Sequence, residues 1–459
     1  MQIVKLASKN RGLRAIALSA CLVLAQINTA LALNLSDAYQ AALQNDPAFQ
    51  SAIKDYEAGL ENGPIGLAAV LPKLAANYSK ATNRTTISYS QTPNGTPTSP
   101  YLNNSNYPSD YGALQLTQPI FSMEAYARLK QGSAQTEFAR SKFTYLTQDL
   151  SVRLMQAYTD LLFSIDVLRF QKAEYDAFSE QSKVTMRLYQ KGEGLLTDAL
   201  QAQATSLVSQ ARMLENENDV INAKIKLESL IGSQIDDVNS VAKLAPNFRY
   251  FSSGLDNFSI WKEKAIVNNV ELKAMKDQIE IAHQEYKKNV AGHYPVVNLI
   301  AAATQQTSYT TSTINQFASQ SYVGVQVNLP IYGGGEIQAR ANQSYALFEK
   351  AQSDYRVTYD RVLADLRKQY DIVITARKKI DSLSGALDAS KELVKAMRSS
   401  VNAGEKINLD VLTADKTLYI SRRDLAQSKY AYLIAYLKLN QMIGSSEMDD
   451  FEKIQTYFH

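Results

Sequence analysis

A mostly helical α+β fold made from two copies of one strand-plus-helix unit is what this sequence predicts. Three observations lead there: a repeat with an offset near 212 residues, two long proline-free stretches with heptad spacing, and short alternating segments bounded by tyrosine.

The first 32 residues read as a secretory signal. Lys5, Lys9, Arg11 and Arg14 form a basic start, Ala15 to Ala25 is apolar, and Ala30-Leu31-Ala32 offers an A-x-A cleavage site at Ala30 and Ala32. Leu18-Ser19-Ala20-Cys21 also matches a lipoprotein-type processing site, but the A-x-A site is better placed after the apolar run. Cys21 is the single cysteine, so the mature chain would hold no thiol, disulfide or cysteine metal ligand. Removing the signal leaves 44 Lys+Arg against 45 Asp+Glu. That balance argues against a nucleic-acid partner.

The repeat is clearest at the end of each half. Gly192-Glu193-Gly194-Leu195-Leu196-Thr197-Asp198 parallels Gly404-Glu405-Lys406-Ile407-Asn408-Leu409-Asp410, and Leu230-Ile231-Gly232 parallels Met442-Ile443-Gly444, both at an offset of 212. Leu116 to Phe121 matches Val327 to Tyr332 at 211, and Ala42 to Asp46 aligns with Ala265 to Asn269 at 223. The expected organisation is a first repeat over 33–232, a connector over 233–259 packed outside the helices, a second repeat over 260–444 and a tail over 445–459.

All 11 prolines fall at 47–119, 246, 295 and 330, which leaves 120–245 and 331–459 free to be helical. A helix from about Ser122 to Lys191 would be roughly 100 Å long. Leu154, Leu161, Leu168 and Tyr175 recur every seven residues, as do Leu366, Val373, Ile380, Leu387, Val394 and Val401. The returning helices carry Leu200, Leu207, Leu214 and Ile221 in one copy and Val411, Leu418, Leu425, Tyr432 and Leu439 in the other. Such rows predict shallow coiled-coil packing, with left-handed glycines reversing the chain near 192 and 404.

Strands are expected at Leu74 to Tyr89, Tyr111 to Phe121, Val296 to Tyr309 and Tyr322 to Ile331. The last is the cleanest, with Val323, Val325, Val327, Leu329 and Ile331 on one face. Gln91 to Asp110 and Ser308 to Ser321, rich in Pro, Asn, Ser and Thr, read as hairpin loops. No later apolar run reaches 18 residues, so a membrane location would require a barrel. Four strands cannot close one. Three copies, a homotrimer, would supply twelve strands above a long helical tube, a shape suited to a conduit.

The duplicated layout resembles the TolC family of outer-membrane efflux and secretion channels. So do Leu35-Ser36-Asp37-Ala38-Tyr39 with Asn45-Asp46-Pro47, the paired Gln118-Pro119-Ile120-Phe121 and Leu329-Pro330-Ile331-Tyr332, and the Gly-x-x-x-x-x-Asp tips. Asn62-Gly63-Pro64-Ile65-Gly66 followed by Leu71-Pro72 looks most like the type I protein-secretion branch. The resemblance implies a trimeric passive channel embedded in outer-membrane lipid with a periplasmic helical extension. Its partners would be a periplasmic membrane-fusion adaptor and an inner-membrane ABC or proton-driven transporter, and it would need no cofactor. Gly192, Glu193, Gly194, Leu195, Gly404, Glu405, Lys406 and Ile407 would meet the adaptor. Asp198 and Asp410 match the acidic entrance positions, and Lys406 the basic residue of a closing link. Val401 stands where a tyrosine of that link would be, and Thr413 where a second entrance acid would be.

Blander readings compete. Asp198 and Asp410 also suit the first turn of any helix, where an acid faces the positive end of the dipole. Gly333-Gly334-Gly335 lacks the Gly-Lys-Ser/Thr of a phosphate loop and reads as a joint between strand and helix. His283, His293 and His459 have no metal or base spacing. The rivals are a periplasmic coiled-coil adaptor, which would lack the strands, a porin-like channel, which would need many more strands, and an enzyme, for which no catalytic constellation is present.

Overall fold

The structure, a computed structural model, describes residues 33–91, 97–245, 248, 250, 257–403, 406, 408–445, 451 and 453–458. The signal segment, with Ala30, Ala32 and Cys21, lies outside them, as do Gly404, Glu405, Ile407 and His459.

The chain opens with α1 (Leu35–Asn45), α2 (Pro47–Leu60) and α3 (Asn62–Leu67), then forms a hairpin of β1 (Lys73–Gln91) and β2 (Pro97–Phe121). The helix α4 (Met123–Gln190) descends for 68 residues and α5 (Leu196–Ile231) returns. The second half repeats this with α6 (Phe258–Asn268), α7 (Val270–Val290), β3 (Val296–Thr307), β4 (Phe317–Asn328), α8 (Glu336–Asn402) and α9 (Asn408–Met442). Ser122 starts α4 by accepting the Ala125 N–H at 3.1 Å, as an N-cap should. With no proline inside, α4 then runs for about 100 Å.

The four strands form one antiparallel sheet in the order β1-β2-β3-β4. Cross-strand partners share a face. The row Leu74, Leu116, Ala301 and Val323 is apolar, whereas its neighbour Ala75, Gln115, Ala302 and Tyr322 begins a mixed face carrying Thr117, Asn298, Thr304, Gln326 and Asn328. One face of the sheet therefore suits lipid and the other water.

The first hairpin corrects an expectation. Residues 97–110, expected as loop, are the outer part of β2 despite Pro97, Pro100 and Pro108. The last β2 to β3 pair is Asp110 with Thr307, so beyond it β2 has a single neighbour, β1. A proline whose missing N–H points away from the sole partner costs no ladder bond, and it blocks that free edge to foreign strands. The second hairpin loop is shorter than expected, because β4 already begins at Phe317 and ends at Asn328.

The helices form two tiers. In the lower tier α4 packs against both α5 and α9, and α9 against α8; in the upper tier α2 and α3 pack on α4, α4 on α7, and α7 on α8. The main core sits between the tiers, where Leu154, Met155, Tyr158, Leu161, Leu227, Leu366, Val373, Tyr432 and Leu439 are buried. Segments from the amino terminus, the middle and the carboxyl end cover it: Leu33 pairs with Val241, Leu244 with Phe458, and the Tyr158 hydroxyl lies 3.0 Å from the carbonyls of Leu33 and Ala242.

Two matching joints close the halves. The Asn45 amide donates to the Ile231 carbonyl at 3.0 Å and the Asn269 amide to Met442 at 3.1 Å, while Asp46 and Asn269 cap α2 and α7. Gly232 and Gly444 end α5 and α9 in left-handed conformation, pressed against Asn45 and Asn268. Gly334 and Gly335, also left-handed, make the turn into α8.

One heptad row differs from expectation. Leu200, Leu207, Leu214 and Ile221 are 52%, 57%, 51% and 53% exposed, whereas Leu418, Leu425, Tyr432 and Leu439 are buried. The helix α5 packs on α4, and the residues it buries are Ala199, Ser209, Val220 and Leu227 instead. Its leucine row faces out of the chain because, among the long helices described, α5 has only α4 packed beside it.

Candidate functional site

The lower ends of the four long helices hold the residues singled out above. At the first tip α4 stops at Gly192, whose φ is +76°, and the Glu193 N–H reaches back to the Leu188 carbonyl at 2.9 Å. That is a left-handed helix stop that glycine adopts without steric cost. The chain leaves it with Leu195 and Leu196 exposed, 66% and 46%, and enters α5 with Asp198 in its first turn. Of the second tip Lys406 is described and exposed, and Asp410 lies half-buried in the first turn of α9.

These elements bring Asp198, Val401 and Lys406 to one cleft of about 450 Å³. Phe178, Val184 and Leu188 of α4 and Leu412 of α9 give it apolar walls, and Gln181, Thr185 and Gln201 line the rest. The arrangement places an acid from one tip and a base from the other on the walls of one water-accessible cleft. Opposite charges so placed attract weakly and reversibly, because solvent screens them. Asp410 and Thr413 lie on α9 and do not line this cleft.

Sequence reasoning missed a second polar link just above. Arg398 of α8 reaches Asp415 of α9 at 3.4 Å, and the Asp415 side chain is only 10% exposed. Burial, and next the Asp415 carboxylate, push the nearby Tyr419 phenol up from its ordinary value. The pairing spans 17 residues across a hairpin, a separation without a periodic signal. Higher on the same surface, Asp166 of α4 accepts from Tyr430 of α9 at 3.3 Å and pairs with Arg169 at 2.8 Å. Burial nevertheless holds the Asp166 carboxyl above the usual carboxylate range.

His283 stacks on Phe348, with ring centroids 5.1 Å apart, and its Nδ1 lies 3.5 Å from Glu280. Among the described residues no group of three or more His, Cys, Asp or Glu could hold a metal ion, and no helix is long and apolar enough to cross a membrane.

The family described as outer membrane efflux protein matches residues 38–233 and again 261–445. The chain belongs to that family. Among curated relatives, the alkaline protease secretion protein AprF of Pseudomonas aeruginosa is 31% identical over 429 residues, 94% of this chain and 88% of its own. The proteases secretion protein PrtF of Dickeya chrysanthemi is 32% identical over 440 residues, 94% and 92% of the two chains. The outer membrane protein TolC of Escherichia coli is 26% identical over 429 residues, 91% of this chain and 83% of its own. Among solved structures, the Campylobacter jejuni CmeC outer membrane channel superposes with a TM-score of 0.77 at 15% identity, covering 93% of this chain and 90% of that one. VceC of Vibrio cholerae superposes at 0.74 with 17% identity, covering 90% and 96%. As a member of the outer membrane efflux protein family the chain is an outer-membrane channel protein with a mostly helical α+β fold, and the adaptor alternative does not fit its four-stranded sheet.

Proposed function

We propose that three copies of this chain close into an outer-membrane export channel that carries polypeptides in type I secretion; the names of AprF and PrtF state protease secretion for those relatives. The observation that carries the assembly is that every tier ends in open edges. The sheet stops at β1 and β4, the lower helical tier at α5 and α8, and the upper tier at α2 with α3 and again at α8. An open strand edge cannot face lipid, because its N–H and C=O groups would lose water without gaining partners. Three copies joined β4 to β1 give a closed barrel of twelve strands, with α5 of one copy against α8 of the next. The outward leucine row of α5 is the apolar surface that such a contact would bury.

In this reading the mixed polar face of the sheet lines the pore, and the channel conducts passively. The exposed Leu195 and Leu196, with Glu193, offer the first tip to a periplasmic adaptor, and through it to an inner-membrane transporter. Asp198 and Lys406 form a weak latch at the entrance, to which Val401 contributes packing without a hydrogen bond. The Arg398 to Asp415 pair holds the second hairpin together beside it.

Two experiments test this. The purified complex in a planar bilayer should conduct ions without any energy source, and a silent preparation would refute the channel. A strain lacking the chain should retain an exported polypeptide inside the cell. Normal polypeptide export together with heightened sensitivity to small toxic compounds would refute the secretion reading in favour of efflux.

A further inference from the structure

On β1 strict alternation puts Leu74, Ala76, Tyr78, Lys80 and Arg84 on the apolar face of the sheet, with no register shift before Tyr89. Lys80 pairs across the sheet with Asp110, Asp110 with Thr307, and Thr307 with Phe317. From Val327 to Phe317 on β4 is about 34 Å along the strand, or about 26 Å of height at a tilt near 40°. That is the thickness of an outer-membrane apolar band. Tyr78 and Phe317, 73% and 65% exposed, thus mark its outer rim, where aromatic rings collect. Lys80 stands at that rim, and Arg84 lies about 13 Å farther along the strand.

The cations outnumber the acid there. Asp110 accepts from the Tyr78 hydroxyl at 3.1 Å and lies 3.7 Å from Lys80, whose side chain stays 67% exposed. Arg84 is exposed and faces Asn106 across the hairpin, with Asn104 and Pro108 as its diagonal neighbours. With height the surface passes from apolar residues, through Ser321, Ser319 and Gln305 beside the rings of Tyr78 and Phe317, to the two cations, which matches acyl chains, the interface and an anionic headgroup in turn.

We propose that Lys80 and Arg84 bind the phosphate groups of phosphorylated glycolipids in the outer leaflet, one such site on each β1 strand. The proposal rests on the outer-membrane placement of the barrel. Both cations suit this ligand, because an ammonium and a guanidinium each donate charge-assisted hydrogen bonds to phosphate oxygens.

The test uses the purified full-length complex in detergent, with lipid binding followed by native mass spectrometry. Bisphosphorylated lipid A should bind, and K80S/R84S should weaken it by about 10- to 30-fold. The charge-conserving variant K80R/R84K should bind like the original, which separates lost charge from lost folding. A dephosphorylated lipid A should bind the original chain and K80S/R84S equally. Unchanged lipid A affinity in K80S/R84S would overturn the proposal, as would equal weakening in K80R/R84K. Competition by inorganic phosphate at equal concentration would assign the site to a free anion instead. Membrane fractionation reports separately on the placement itself, so its failure is distinguishable from failure of the lipid site.

Discussion

Replacing Gly232 by alanine probes the joint that closes the first half of the chain. Gly232 sits at φ +69°, and a Cβ there would lie 2.4 Å from Asn45 Cβ. Left-handed backbone costs an alanine about 1–2 kcal/mol. The overlap forces Asn45 aside, which loses its bond to the Ile231 carbonyl, about 1 kcal/mol, and strains a packed site by about 1–3 kcal/mol. The sum is about 3–6 kcal/mol. Gly192 provides the matched control, since its φ is +76° and nothing lies within 4 Å of its Cβ position. Gly192→Ala should therefore carry the backbone cost alone. Scanning calorimetry of the assembled protein at fixed detergent and protein concentration would compare the two. Gly232→Ala should lower the midpoint at least twice as far as Gly192→Ala. Equal shifts would rule out a contribution from the Asn45 contact, because backbone strain would then account for the whole effect.

Other expectations concern the entrance, the interface and pH. Substituting Asp198 and Asp410 by alanine should reduce the cation selectivity of single channels in planar bilayers; unchanged conductance and selectivity would count against their forming the entrance. Leu207→Asp with Leu214→Asp puts two charges on the outward row of α5, and gel mobility should shift from a heat-resistant oligomer to monomers while circular dichroism stays helical. Burial raises the Asp166 carboxyl, so the folded chain keeps a proton that the unfolded chain has released. Its stabilising contribution is therefore complete below the ordinary carboxylate range and is lost as pH rises through the raised value. Asp166→Asn removes that dependence, so the melting midpoint of the variant relative to the original should rise from pH 4 to pH 7; a constant difference would contradict the assignment.

The long helices were legible because proline is excluded from their interiors and the leucine rows repeat every seven residues. The reversal at Gly192 was legible for a similar reason, since few residues other than glycine stop a helix in that conformation. The outer part of β2 was hidden by the same proline rule. That rule assumes a neighbour on each side, and Pro97, Pro100 and Pro108 lie beyond the last pair with β3. The outward row of α5 shows another limit. A heptad tells which residues share a face, and it does not tell whether the same chain or another covers that face. In the cleft at the tips, Asp198 and Lys406 came from the repeat and the family resemblance. Arg398 with Asp415 did not, because an ion pair across a helical hairpin leaves no spacing to recognise. Phe451 and Phe458, seven residues apart in the segment expected as a tail, fill the core beside Tyr39 and Tyr158. Their spacing was a usable signal.

If identical copies close the open edges of all three tiers, the assembly is a trimer. Native mass spectrometry of the complex extracted from the outer membrane, with detergent removed in the gas phase, measures this directly. A mass of three mature chains is the predicted result, and a single-chain mass that persists across detergents and concentrations would contradict it.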